Sequence, residues 1–237
     1  MAIHKVTYNP DYRRGNVHNH GCGFKCTWCS YRLKEREMPC RFLHDDEVKT
    51  ALSNLDVDRV HFIGGEPTTY PGLAELASFA HDEMGVVTKL GHSNGARVPP
   101  EGIDEANISI KTLKENIHVD HCGVPSSMVQ SNFRTAYENG VKLDASSVLI
   151  PGLIDVEEIL RIAEFVSSID DTIPYHIIGY IPVPDAPWRR PSFEEVQRAE
   201  AGAKQWLKTV TLSCWSEKEW SMDPAERDQR YRKIRVA

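Results

Sequence analysis

The chain has 237 residues, 41% of them hydrophobic and 26% charged, with a formal net charge of −6. That is enough for one sizeable core. The acidic balance gives no electrostatic reason to expect nucleic acid or an anionic membrane as a partner. No apolar run approaches the roughly 18 residues a membrane span requires, and the first residues carry no apolar signal segment. A cytoplasmic location is expected, where thiols stay reduced and clustered cysteines serve metal or catalysis more often than disulfides. The C-terminal Arg227, Arg230, Arg232, Lys233 and Arg235 are interrupted by Glu226 and Asp228. That spacing predicts a solvated tail or helix.

In chain order, three of the six cysteines fall close together, at Cys22, Cys26 and Cys29, whereas Cys40, Cys122 and Cys214 are scattered. A helix over 45–55 follows, with Asp45 or Asp46 as its cap. Aliphatic runs bounded by Gly, Pro, Asn or Asp predict strands over 57–64, 85–94, 106–112, 143–152 and 173–183. Between them lie a helix over 71–84, with Pro71 at its start and Gly85 after its end, and one over 126–139, capped by Ser126 or Ser127 and closed by Gly140. A helix over 155–167 has Asp155 as cap. Ser192 and Glu195 form a capping box for a helix to Lys208. A short strand over 209–214 completes the sheet, and 215–237 is expected to be an irregular tail anchored by Trp215 and Trp220. Strand–helix alternation at this spacing means βαβ units and a parallel sheet. The expected fold is α/β, a single-domain parallel barrel or partial barrel spanning 1–237 with its core at about 15–214. The loop holding Pro182, Pro184, Pro187 and Pro191 follows a strand and belongs to the functional face of such a barrel.

The segment NHGCGFKCTWCS, from Asn19 to Ser30, spaces its cysteines C-x3-C-x2-C. Three thiolates on one tight loop can each bind one iron of a cubane cluster, leaving a fourth iron open to hold a substrate directly. Gly21 and Gly23 let the backbone wrap closely. A structural zinc site is the alternative, with Cys40, His18, His20 or His44 as fourth ligand. Zinc sites usually carry a second cysteine knuckle, which is missing here. Three core cysteines close together by coincidence are the remaining reading.

The cysteine spacing resembles the signature of the radical S-adenosylmethionine (SAM) superfamily, and the resemblance extends further. Trp28 stands where relatives place an aromatic residue against the adenine of SAM. Phe62-Ile-Gly64-Gly65-Glu66-Pro67 is similar to the GGEP motif, which binds the amino group of the SAM methionine moiety. Ser93-Asn94-Gly95 is similar to a TNG turn. Ile108 to Lys111 resembles the D-L-K strand end of the pyruvate formate-lyase-activating enzyme group, with Ser109 in place of the aspartate. Asn116 to Pro125 and Val148 to Gly152 resemble further segments of that group, so the resemblance runs from about Gly21 to Pro182. It implies a partial (β/α)6 radical SAM barrel, anaerobic oxidoreductase-like chemistry, and a [4Fe–4S] cluster on Cys22, Cys26 and Cys29. It also implies SAM bound by Trp28, Gly64, Gly65, Glu66, Pro67, Asn94 and Lys111. Glu66 would meet the SAM ammonium and Lys111 the carboxylate; a solvent-facing Lys111 is the other reading. Asn94 would touch ribose or carboxylate, or simply adopt a left-handed turn.

Reductive cleavage of SAM would give a 5′-deoxyadenosyl radical that takes hydrogen from a protein or peptide, as in glycyl-radical-enzyme activases. The electron would come from an external donor such as ferredoxin or flavodoxin. The segment Tyr8 to His20 lacks the D-G-x-G-x-R stretch of true activases, and Ile181 replaces a histidine near the ribose. These departures push toward the alternative, a small-molecule substrate in cofactor or nucleoside-base biosynthesis. A non-catalytic zinc or iron–sulfur module is a third possibility. Cys122 is expected in a loop at the barrel mouth, as a small buried hydrophobe, a radical relay or a thiol donor. His118, His121 and His176 are expected to be packing residues.

Overall fold

A computed structural model describes residues 2–33, 39–222 and 234–237. Arg227, Arg230, Arg232 and Lys233 of the expected basic tail lie outside these residues. Strand β1 (Ala2–Asn9) turns through Pro10–Tyr12 into β2 (Arg14–His20), and helix α1 (Asp45–Ser53) leads to β3 (Arg59–Ile63). Helix α2 (Leu73–Ser78) runs into a π-turn at Phe79–Glu83, followed by β4 (Val87–Ser93) and β5 (Glu105–Ser109). Helices α3 (Glu115–Cys122) and α4 (Ser126–Glu138) precede β6 (Lys142–Leu149), α5 (Val156–Ser167) and β7 (Tyr175–Gly179). Then come α6 (Phe193–Ala203), β8 (Val210–Ser213), α7 (Glu217–Ser221) and β9 (Ile234–Arg235).

From β2 to β8 every strand lies parallel beside its predecessor, and β1 and β9 extend the β2 edge antiparallel. The sheet's two ends do not pair with each other. This is the expected partial barrel: β2 to β7 supply its six strands and β8 adds a seventh. Parallel strands need crossovers, and each here carries a helix except the one from β4 to β5.

Alternation along the strands sorts the faces. Val60 and Phe62 of β3, Ala106 and Ile108 of β5, and Leu143, Ala145 and Leu149 of β6 are buried on the helix side. Helix α5 meets them with Ile159, Ile162, Ala163 and Val166, an i, i+3, i+4, i+7 stripe. The inner face carries polar rows, with Val148 and Ile178 apolar at the cavity end. Its register brings Asn16, His61 and Lys89 into one row and Ser109, Ser146, His176 and Thr211 into another. A filled barrel stacks branched aliphatic side chains here; this lining suits water or a polar ligand. Among the described residues no helix is long and apolar enough to cross a membrane.

Several local expectations are corrected. The cap of α1 is His44, whose backbone N–H donates to the Glu47 carboxylate at 2.9 Å. The cap position of α4 is Pro125. The N–H groups of Ser126 and Ser127 are taken by the Glu115 carboxylate at 2.9 and 3.2 Å, so the cap comes from another helix. Helix α6 keeps its capping box but ends at Ala203. The segment after 214 is not wholly irregular: it holds α7, and Ile234 and Arg235 pair with Tyr8 and Thr7 of β1.

Candidate active site

The cysteine loop starts where β2 ends and is anchored at both sides. On one side it meets the turn after β3. There Gly64 and Gly65 have φ of +85° and +49°, and a Cβ on Gly65 would stand 2.0 Å from the Gly21 carbonyl oxygen. Only glycine permits that backbone-to-backbone approach. It is sealed by a hydrogen bond from Glu66 N–H to Gly21 O at 2.9 Å. The Asn19 side-chain amide donates to Gly21 O at 3.0 Å and to Glu66 O at 2.9 Å. Pro67 is buried at the start of a 3-10 turn. On the other side the loop meets the C-terminus of α3, where Lys25 N–H donates to Cys122 O and Thr27 N–H to His121 O.

All three loop cysteines are free thiols. Cys22 Sγ accepts from Phe24 N–H at 3.4 Å and from the Asn94 side-chain amide at 3.3 Å. Loss of hydration nevertheless holds its pKa above the ordinary thiol value. The neighbouring Cys122 thiol lowers the Cys26 pKa to about 7 against the opposing effect of burial, with Lys111 helping. Cys122 is driven upward by Cys26 and by burial. Cys29 closes a turn through its N–H to Cys26 O at 3.2 Å.

A cavity of about 180 Å³ opens beside the loop, lined by Cys26, Trp28, Cys29, Lys111 and, on the far wall, Tyr180 and Ile181. Trp28 is held by an aromatic cluster, with His121 at 5.7 Å and Trp188 at 6.1 Å between ring centroids. Lys111 Nζ donates to Ser109 Oγ at 2.8 Å, and the residue lines this cavity. A larger space of about 590 Å³, lined by Lys142 and Pro174 among others, lies before β6 and β7. It is far from the cysteines and at the end of the sheet where barrel enzymes do not place chemistry.

Two side chains of the expected SAM-binding set are bonded within the chain itself. Glu66 is 0% exposed, and its carboxylate is filled by its own chain. Oε1 accepts from Thr68 N–H (3.1 Å), Thr68 Oγ1 (2.8 Å) and Ser93 Oγ (3.0 Å), and Oε2 from Asn94 N–H (2.5 Å). It ties the β3 turn to the end of β4 instead of facing the cavity. The Asn94 amide donates to Cys22 Sγ, its Oδ1 accepts from Ala96 N–H at 2.9 Å, and the left-handed residue of the turn is Gly95, at φ +72°, rather than Asn94.

Cys122 is not on a loop but is the last residue of α3 and fully buried. His118, also 0% exposed, bonds Val124 O through Nδ1. His121 bonds Thr27 Oγ1 at 3.1 Å, and His176 bonds Thr211 and Ser213. Cys40 is exposed, and Cys214 packs on Gly179.

Among the described residues no three His, Cys, Asp or Glu side chains converge on a single metal ion. A tetrahedral zinc site needs such convergence. A cubane gives each cysteine a different iron, so three thiols on one loop, with N–H donors aimed at a sulfur, fit a cluster.

The sequence profile of the Radical SAM superfamily matches residues 16–166, more than half of the chain. The chain belongs to this superfamily and is an enzyme of it. Its cofactors are those of the superfamily, a [4Fe–4S] cluster and SAM. Its relatives include proteins named as activating enzymes. A protein of Methanocaldococcus jannaschii provisionally named a glycyl-radical enzyme activating enzyme is 27% identical over 205 residues, 82% of this chain and 78% of the relative. A domain of a pyruvate-formate lyase-activating enzyme from Bacteroides vulgatus superposes with a TM-score of 0.55 at 21% identity, covering 65% of this chain and 98% of that one. Streptococcus suis SuiB with SAM bound superposes at 0.65 and 16% identity over 86% of this chain. The chain spans 50% of SuiB's length, and SuiB has also been solved with its precursor peptide SuiA.

Proposed function

We propose that Cys22, Cys26 and Cys29 hold one [4Fe–4S] cluster and that SAM lies between it, the Gly64–Pro67 turn, Trp28 and Lys111. The observation that carries this reading is the shared cavity: Cys26, Trp28 and Cys29 of the cysteine loop and the strand-end Lys111 reach one space from two different elements. Bound there, the cluster supplies the electron for reductive cleavage of SAM to methionine and a hydrogen-abstracting 5′-deoxyadenosyl radical. The chain's own residues position and shield. Gly64 and Gly65 let the turn close onto the loop, and Glu66 and Asn94 fix that turn from beneath. Lys111 offers its ammonium to the SAM carboxylate, and Trp28 a flat apolar face to the adenine. Tyr180 and Ile181 help keep water out.

The substrate is a protein or peptide, and the electron comes from an external donor such as ferredoxin or flavodoxin. The name of the M. jannaschii relative, the peptide complex of SuiB and the open, polar inner wall support this substrate class. The core from about 15 to 214 acts as one catalytic domain.

Anaerobic reconstitution should load about four irons and four sulfides per chain. With dithionite the protein should convert SAM to 5′-deoxyadenosine without added substrate. S-adenosylhomocysteine as the only product would overturn the radical reading. Deuterium passing into 5′-deoxyadenosine from a deuterated protein fraction supports the substrate class; transfer only from the small-molecule fraction overturns it.

A further inference from the structure

The sheet has one uncovered edge. Among the described residues β8 pairs with β7 on one side and with no strand on the other, whereas the β2 end is extended by β1 and β9. Tyr175 N–H donates to Thr209 O at 2.9 Å. Successive residues of a strand turn their backbone groups to opposite sides, so Thr211 and Ser213 also face β7. Val210 and Leu212 then present their N–H and carbonyl groups to the open side. Edge strands are commonly blunted by charge, proline or a bulge. Val210-Thr-Leu-Ser213 has no charge and no proline, and its register with β7 is unbroken. With 4 residues it is a short edge, which pairs weakly unless a second contact adds to it. That contact is near. Ser213 stands beside Ile178 in the register, and Ile178 and Gly179 line the cavity next to the cysteine loop. Thr211 and Ser213 turn their hydroxyls to His176 on the inner wall, at 2.8 and 3.0 Å, so one face of β8 belongs to the same chamber.

We propose that β8 is the docking edge for a peptide substrate: an extended segment adds beside β8 as a further strand, and the chain leading past Ser213 reaches the cavity mouth. The inference rests on the substrate being a protein or peptide. Main-chain donors and acceptors at strand spacing are complementary to another main chain and read no particular side chain. The edge therefore supplies affinity for an extended polypeptide, and the cavity selects the residue that meets the radical.

The test compares reconstituted wild type, Leu212→Ala and Leu212→Pro, each given SAM, dithionite and a sub-saturating deuterated protein fraction. Proline removes the outward N–H of residue 212, a change edge strands tolerate because the ladder to β7 does not use that group. Alanine removes the same side chain and keeps the N–H. The readout is the deuterated share of the 5′-deoxyadenosine formed, a ratio that a change in cluster loading does not move. Leu212→Pro should lower that share about three- to tenfold relative to Leu212→Ala, the worth of one backbone hydrogen bond. Equal shares in the two variants overturn the proposal and leave the substrate class standing. Label arriving only from the small-molecule fraction in wild type overturns the substrate class and the proposal with it. Hydrogen exchange on wild type tests the edge without a variant. The Leu212 N–H should exchange much faster than those of Thr211 and Ser213 at every protein concentration. Protection of Leu212 overturns the proposal: protection that grows with concentration assigns the edge to a second copy of the chain, and protection that does not assigns it to the chain itself.

Discussion

Replacing Glu66 by alanine should damage the fold before it damages catalysis. The carboxylate accepts four hydrogen bonds inside the protein, two of them from the backbone N–H groups of Thr68 and Asn94. The Thr68 and Ser93 hydroxyls can rotate toward other acceptors; the two N–H groups cannot. A buried donor left unsatisfied costs about 1–3 kcal/mol, so Glu66→Ala should lose roughly 2–6 kcal/mol by that count. In a protein of this size 1 kcal/mol moves the melting temperature by about 2–4 °C, giving a fall of roughly 5–20 °C. Glu66→Gln keeps one oxygen but turns an NH2 toward a donor, because both carboxylate oxygens face N–H groups. It should fall between wild type and alanine. Thermal melts of the apo proteins measure this without cofactor. If Glu66→Ala melts like wild type and only SAM binding weakens, the carboxylate faces the ligand after all and the reasoning is refuted.

Cys22→Ala, Cys26→Ala and Cys29→Ala should each abolish the cluster, while Cys40→Ala and Cys214→Ala leave iron content unchanged; retained iron in any of the first three removes that residue from the ligand set. Lys111→Ala should weaken SAM binding by about tenfold, equivalent to about 1.4 kcal/mol, with normal iron content, as equilibrium binding would read; unchanged affinity would send the ammonium elsewhere. Glu158 gives a pH prediction. Burial alone would raise its pKa, yet bonds from Thr112, Leu113 and Arg161 hold it below the ordinary value. A depressed folded pKa means stability present above the unfolded value, about 4.3, and lost as pH falls through the folded one. Wild type should therefore lose stability below about pH 4 more steeply than Glu158→Gln in urea melts, and parallel curves would contradict it.

What could be read from sequence was local. The strands after β2 are aliphatic runs between glycines and prolines, and the cysteines, the Gly64–Pro67 turn and Ser192–Glu195 are contiguous signals that need no partner. The first two strands had no such signal. A bulge between Ile3 and Lys5 breaks the alternation of β1, and β2 carries Gly15, Asn16, His18, Asn19 and His20, poor strand formers. Tertiary fit holds β2 instead: a Cβ at Gly15 would come within 3.1 Å of Leu52, and polar residues suit a wet inner wall. Helix α3 was hidden for a related reason, since its buried residues are His118 and Cys122 rather than an aliphatic stripe.

The site departs from its motif in the same way. The order of motifs along the chain says which turn lies near SAM, because each β/α unit delivers its loop to the same end of the sheet. Which atom meets the ligand depends on donors arriving from other units. Ser93 Oγ and Asn94 N–H come from the end of β4 and fill the carboxylate of Glu66, and the side-chain amide of Asn94 goes to Cys22. That leaves Lys111, one strand further on, as the charged residue of the proposed SAM-binding set that lines the cavity.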